Sequence, residues 1–348
     1  MLSKDIVAVI KAISYDDIDE PLREGIEAIG GLPSLENCHV VIKPNLCAAK
    51  SPEAGATTHI NIVRGIIKII NEKTGGKCRI SIVESDAEGI NADYAFKLFD
   101  YISLEKEFPN VTLVNLSKDA KMRIVLNSSK AFELLEIPYT LLDMNYFISI
   151  AKLKTHVDQR ITCILKNQFG LIPQKHKAVF HPFLSEVLYD LNSIYCPDLC
   201  IIDGIIGMEG FGPTDGSPKR VNVILIGTSS IATDFVAAQI MGFKPEQVPH
   251  LKYAMKNMSF NEDGLNLVGE RILRDVKTSF DFISSKQYLV GRIGLCLQRW
   301  GILLMKLGDF IQKVRSALSL VGLSTINSKV SFKDMIRIAK RMIFKVSA

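Results

Sequence analysis

Through the first 250 residues, short β-branched runs alternate with stretches whose apolar residues recur every three to four positions. The runs at 6–13, 39–43, 78–84, 112–115, 146–152, 199–203 and 222–226 predict strands. Helical spacing fills 20–29, 59–72, 92–98, 157–168, 182–194 and 232–241. Gly30-Gly31 and Gly75-Gly76 stop two of these helices ahead of the next strand. Such alternation predicts an α/β fold, a mostly parallel sheet with helices on both faces. Several strands run into a polar residue: Lys43, Glu84, Lys152 and Asp203. Open α/β sheets bind ligands beyond the carboxyl ends of their strands, so that recurrence marks where to look for a site.

The pattern changes near residue 265. Prolines disappear and apolar residues fall at Ile293, Trp300, Leu307, Val314 and Val321, one every seven. Arg292, Arg299, Lys306 and Lys313 repeat beside them. A second amphipathic stretch sets Phe332, Met335, Ile336 and Ala339 against Lys333, Arg337, Lys340 and Arg341. The chain therefore reads as an α/β domain over 1–265 followed by a basic amphipathic helical tail over 266–348.

Charge sharpens this division. The 348 residues carry a net charge of +5. Residues 270–348 hold 15 Lys and Arg against 5 Asp and Glu, so the tail is at +10 and the remainder at −5. An apolar stripe flanked by cations fits an anionic membrane surface, or a homodimer through 286–348. The acidic remainder has no basic stripe interleaved with aromatics, which argues against a nucleic-acid partner. Hydrophobic residues at 47% exclude a disordered chain. Seven cysteines without paired spacing read as free thiols of a reducing compartment. The N-terminus turns acidic too early for a secretory signal and no apolar run reaches 18 residues. The expected location is cytoplasmic, peripheral on the inner membrane face.

Four clusters carry candidate chemistry. Lys43-Pro44-Asn45 ends a strand and is followed by Gly55-Ala56-Thr57-Thr58 at a helix start, a combination suited to an anion. It lacks the order of a phosphate-binding P-loop. At Glu84-Ser85-Asp86 a strand empties into acidic and hydroxyl groups. The densest cluster is Lys152-Leu153-Lys154-Thr155-His156, followed by Lys166 and Asn167, with Lys175, His176, Lys177 and His181 in the next loop. A lysine embedded in apolar sequence loses its proton readily and serves as base or nucleophile, and histidine suits proton transfer. The predicted helix over 157–168 would bring Lys166 toward the mouth that holds His156. The fourth cluster is Asp203, followed by a glycine-rich stretch over 204–212 that reads as a loop carrying Glu209.

Taken together and in order, Lys43-Pro44-Asn45, Gly55-Ala56-Thr57-Thr58, Glu84-Ser85, Lys152-Leu153-Lys154-Thr155-His156, Leu165-Lys166-Asn167 with Gly170, and Ile202-Asp203-Gly204 resemble the domain-of-unknown-function 362 family over roughly 38–245. The resemblance implies an α/β domain with a pocket shared by these positions, and it implies no reaction. Members are often joined to a ferredoxin-like module with two four-cysteine runs. This chain has only Cys296 in its last third, and so no iron–sulfur cluster-binding motif there. The lysine-rich cluster is also loosely similar to nickel-pincer lactate racemases, from which no residue is carried over.

The sequence thus predicts an enzyme acting on a small or lipid-linked anionic substrate, a phosphate or a carboxylate, in a strand-end cleft. Lys152, His156 and Lys166 are the expected acid, base or nucleophile. Lys43, Asn45, Thr57, Thr58, Lys154 and Asn167 are expected to bind substrate. Glu84, Asp203 and Glu209 would hold polar substrate groups or a divalent metal. The alternatives are a non-enzymatic ligand-binding or scaffold protein, and a redox protein served by a separate iron–sulfur partner.

Overall fold

The β-branched runs pair into a nine-stranded mixed sheet, here described from a computed structural model. It describes residues 5–126, 129–276 and 278–284, with Tyr288 and Ile293. In chain order the elements begin β1 (Ile6–Lys11), α1 (Asp19–Ala28), β2 (His39–Pro44), α2 (Ile60–Thr74), β3 (Arg79–Glu84), α3 (Ala92–Leu98), α4 (Ile102–Glu107) and β4 (Val111–Asn115). A hairpin of β5 (Lys121–Val125) and β6 (Leu134–Pro138) stands off the sheet and leads into α5 (Tyr139–Leu142). Next come β7 (Tyr146–His156), β8 (Arg160–Ile161), α6 (Cys163–Asn167), α7 (Leu184–Ile194), β9 (Leu199–Glu209) and β10 (Ser217–Gly227). The described elements close with α8 (Ser230–Ile240), α9 (Pro249–Asn257), β11 (Asn266–Val268) and α10 (Glu270–Val276).

The sheet order is β11-β1-β10-β9-β7-β2-β3-β4, with β8 folded back on β7. β9, β7, β2, β3 and β4 are mutually parallel, so their carboxyl ends share one edge. β10 is antiparallel to both β9 and β1. The period of two along each strand divides the core between two faces. Ile42, Ile82, Ile148 and Ile150 pack with Leu22 of α1 and with Ile62, Ile66 and Ile70 of α2. Val41, Val83 and Phe147 face the other way, against Leu188 and Leu191 of α7. Ala151, Leu153 and Ile202 meet Ile164 of α6 and Val236 of α8 on that same side. Each such fully buried aliphatic side chain contributes about 1.5–3 kcal/mol, which fixes the strands that present the site.

Three sequence expectations change. β7 and β9 each run for eleven residues, well past Lys152 and Asp203. The stretch 204–209 is therefore strand, not loop: Gly207 lies so close to β7 that a Cβ there would sit 2.6 Å from the Leu153 carbonyl oxygen. Over 157–168 the chain first turns back as β8, with left-handed Arg160 (φ 65°) and Cys163 (φ 46°). Those conformations break a continuous helix and leave only the short α6. Finally, β11 pairs parallel with β1, so residues 266–268 belong to the sheet rather than to the tail. The chain divides into two compact units at Gly291 and Arg292. The heptad stripe beyond Ile293 and the terminal basic stretch lie outside the described residues.

Candidate active site

The carboxyl ends of β2, β3 and β7, together with α6 and the segment after it, enclose a cleft of about 350 Å3. That volume suits a small molecule. Lys43 closes β2 with its side chain 1% exposed. Its ammonium donates to Glu84 Oε2 of β3 at 2.9 Å and to the Pro44 carbonyl at 2.8 Å. Glu84 also accepts the amides of Leu46 and Ser85. A buried ion pair repays its desolvation only when its spare donors and acceptors are satisfied, and the two amides do this for Glu84. Gly170 packs directly on the pair: a Cβ there would lie 2.5 Å from Glu84 Oε1 and from Lys43 Cε.

Beside this pair runs a chain of amides. Asn45 Nδ2 donates to Asn167 Oδ1, and Asn167 Nδ2 donates to the Lys43 carbonyl and to Ser149 Oγ. Lys154 of β7 is wholly buried. Its ammonium donates to Asn45 Oδ1 at 3.0 Å, to the Ala56 carbonyl at 2.6 Å and to Cys47 Sγ at 3.1 Å. His156, at the end of β7, accepts the Asp158 and Gln159 amides on Nδ1 at 3.1 and 3.3 Å. Its proton therefore belongs on Nε2. Burial first, and then the nearby Lys166, hold the ring well below its usual range, so it stays neutral.

Lys166 differs from the other lysines. It makes no hydrogen bond or ion pair among the described residues, and its ammonium stands 5.3 Å from the centre of the Phe169 ring. Burial lowers it to about 8, with Lys154 adding to the effect and Cys47 opposing it. Lys177 is also lowered to about 8 by burial, and it donates to Ser85 Oγ and the Asp86 carbonyl. The Asp234 side chain of α8 holds the helix that carries Lys166, its two oxygens accepting the Ile164 and Leu165 amides at 2.7 and 2.9 Å. The cleft is lined by five lysines, at 43, 154, 166, 175 and 177, against Glu84 and Glu88. The lining thus carries an excess of basic side chains.

Of the residues expected from sequence, the cleft brings together Lys43, Asn45, Glu84, Lys154, His156, Lys166 and Asn167. The remainder lie elsewhere. Lys152 and Asp203 face each other across β7 and β9 as a closed pair at 2.7 Å, both fully buried. Tyr15 donates to Asp203, and stacks on His59 at 3.9 Å between ring centres. Lys152, expected as acid or base, is thus engaged by Asp203 and does not line the cleft. Thr58 Oγ1 donates to the Ile150 carbonyl and accepts the Asn45 amide, while Thr57 donates to the Lys50 carbonyl. Both hydroxyls brace the turn after β2 and do not line the cleft. Glu209 pairs with Lys219 at 2.6 Å across the β9–β10 hairpin. The three carboxylates grouped as metal ligands therefore sit on three different lysines. No group of three or more His, Cys, Asp or Glu side chains suited to a metal occurs among the described residues.

Cys47 and Thr162 line the cleft without having been singled out for it, and Ser85 lines it from the Glu84-Ser85-Asp86 cluster. Thr162 is 3% exposed and its hydroxyl has no hydrogen-bond partner among the described residues. Cys47 follows Lys43-Pro44-Asn45 by two positions, a proximity that could have marked it. Nothing local marks Thr162.

Comparison with known proteins gives three likenesses. The family described as a domain of unknown function (DUF362) matches residues 40–239. A thylakoid-associated protein of Synechocystis sp. is 26% identical over 272 residues, covering 75% of this chain and 82% of its own. The apoprotein structure of lactate racemase from Thermoanaerobacterium thermosaccharolyticum superposes with a TM-score of 0.45 and 10% identity, covering 68% of this chain and 56% of the racemase.

Proposed function

The chain belongs to the domain-of-unknown-function 362 family, and from that premise we propose that it is an enzyme acting on a small anionic substrate, a phosphate or a carboxylate. The observation that carries this reading is Lys166, an amine with no partner of its own in a lysine-rich cleft, lowered to about 8. At pH 7 about one tenth of such amines are unprotonated, against roughly one in three thousand for an ordinary lysine. Lys166 is then the base or nucleophile. His156, neutral and protonated on Nε2, donates a hydrogen bond where negative charge develops on the substrate. Lys43, Lys154 and Lys177 attract and orient the anionic group, with Asn45 holding the Lys154 ammonium and Asn167 holding Asn45 and the Lys43 backbone.

The test is turnover. Wild-type protein and Lys166→Ala are incubated in deuterated water with a panel of small phosphate esters and carboxylates, and products and carbon-bound deuterium are read by mass spectrometry. Wild type should turn over or exchange at least one compound, with a loss of roughly 100-fold or more in the variant. Equal rates in the two proteins would remove Lys166 from the chemistry. No turnover by either would favour a ligand-binding protein.

Attachment to an anionic membrane through 286–348 is a second element of the proposal. Its support is the basic, apolar-striped sequence together with the thylakoid association in the relative's name. Among the described residues no helix is long and apolar enough to cross a membrane.

A further inference from the structure

Three lysines are buried at the strand ends, and each has a different claim to a counter-charge. Lys43 has Glu84 and Lys152 has Asp203, both within 3 Å. Lys154, 0% exposed, has no carboxylate: two of its contacts are the neutral oxygens of Asn45 and Ala56, and the third is Cys47 Sγ at 3.1 Å. A buried ammonium without an anion costs several kcal/mol. A thiolate at Cys47 would supply the missing counter-charge. Cys47 is partly exposed and opens into the cleft, which is also lined by Thr162, whose buried hydroxyl has no partner among the described residues.

We propose that Cys47 is a thiolate paired with Lys154 and is the covalent attachment site of the cleft for small carboxylates or phosphates that carry an electrophilic carbon. The choice of an anionic electrophile rests on the anion-cleft reading above, whereas the thiolate rests on the Lys154 contact alone. In the simplest such step the sulfur lone pair forms the S–C bond. With a halide leaving group the C–halogen bond breaks and halide departs. With a carbonyl carbon the C=O pair becomes an alkoxide and takes a proton from an ammonium. Neither route needs an oxidant or a reductant. A thiolate held by cations reacts at neutral pH, where a free thiol is only a few per cent ionised.

The experiment alkylates the full chain with iodoacetamide, which is neutral, and with iodoacetate, which is anionic, from pH 6 to 8. Rates at Cys47 and at the exposed Cys196 are read by peptide mass spectrometry. Partial burial raises the Cys196 thiol, so its rate should rise about tenfold for each unit of increasing pH. Cys47 should react with iodoacetamide at a rate changing less than about threefold over the range, and Lys154→Met should restore the tenfold slope. A Cys47 slope parallel to that of Cys196 in wild type would overturn the thiolate, whether or not the variant folds. The iodoacetate-to-iodoacetamide ratio at Cys47 should exceed that at Cys196 by roughly tenfold, as expected for an anion drawn to uncompensated lysines. A flat pH profile with equal ratios would overturn the anionic electrophile and the anion-cleft reading together, and leave the Lys154–Cys47 pair standing.

Discussion

Lys152 and Lys166 are both lysines set in apolar sequence, and their partners separate their roles. Lys152 lies opposite Asp203 in the β7–β9 register and is consumed by it, while Lys166 faces the cleft without a partner among the described residues. The sequence reveals a lysine at a strand end. Whether a neighbouring strand supplies a carboxylate depends on sheet order, which residue spacing does not contain. That is why Lys43, Lys152 and Lys154 looked alike before the sheet was assembled. Asp203→Ala should lower stability by about 3–5 kcal/mol in urea unfolding, because it strands a buried ammonium. The double variant Asp203→Ala, Lys152→Met should recover much of that loss. A loss below about 1 kcal/mol in the single variant would mean that Lys152 sheds its proton readily.

At the scale of elements, the parallel strands and the helices between them were legible because period-two and period-3.6 patterns follow from burial on two faces. The misreadings came where tertiary contacts override the local pattern. The run 157–168 has apolar spacing suited to a helix, but β8 pairs with β7 and Asp234 of α8 holds only the short α6. Burial raises the Asp234 carboxyl to about 8 despite those two amide hydrogen bonds. The folded protein therefore keeps a proton that the unfolded chain releases near pH 4. The stability from this group is fully present below that pH and is lost as pH rises through about 8. Unfolding measured from pH 5 to 8 should show wild type losing stability relative to Asp234→Asn, which cannot ionise; parallel curves would contradict the raised carboxyl. Gly170→Ala is a second test at this scale. Its methyl group would press on the Lys43–Glu84 pair, and should cost about 1–3 kcal/mol of stability. An unchanged unfolding midpoint would show that the pair gives way freely.

For the whole molecule, an acidic body at −5 and a basic stretch at +10 are plain from composition. What that stretch touches is not, since an apolar stripe is covered equally well by lipid or by a second helix. The membrane reading predicts that the full chain floats with vesicles containing phosphatidylglycerol, and that flotation falls at 0.5 M salt as screening removes the attraction. Failure to float with these vesicles at low salt would count against it. The catalytic proposal rests on the body alone. Its central claim is that Lys166 is a near-neutral amine in an anion-binding cleft, and competitive trace acetylation of the full chain across pH tests this most directly. Lys166 should titrate near 8, with inorganic phosphate slowing its labelling and moving its midpoint upward. A midpoint near the ordinary lysine value of about 10.4, unmoved by phosphate, would contradict the account.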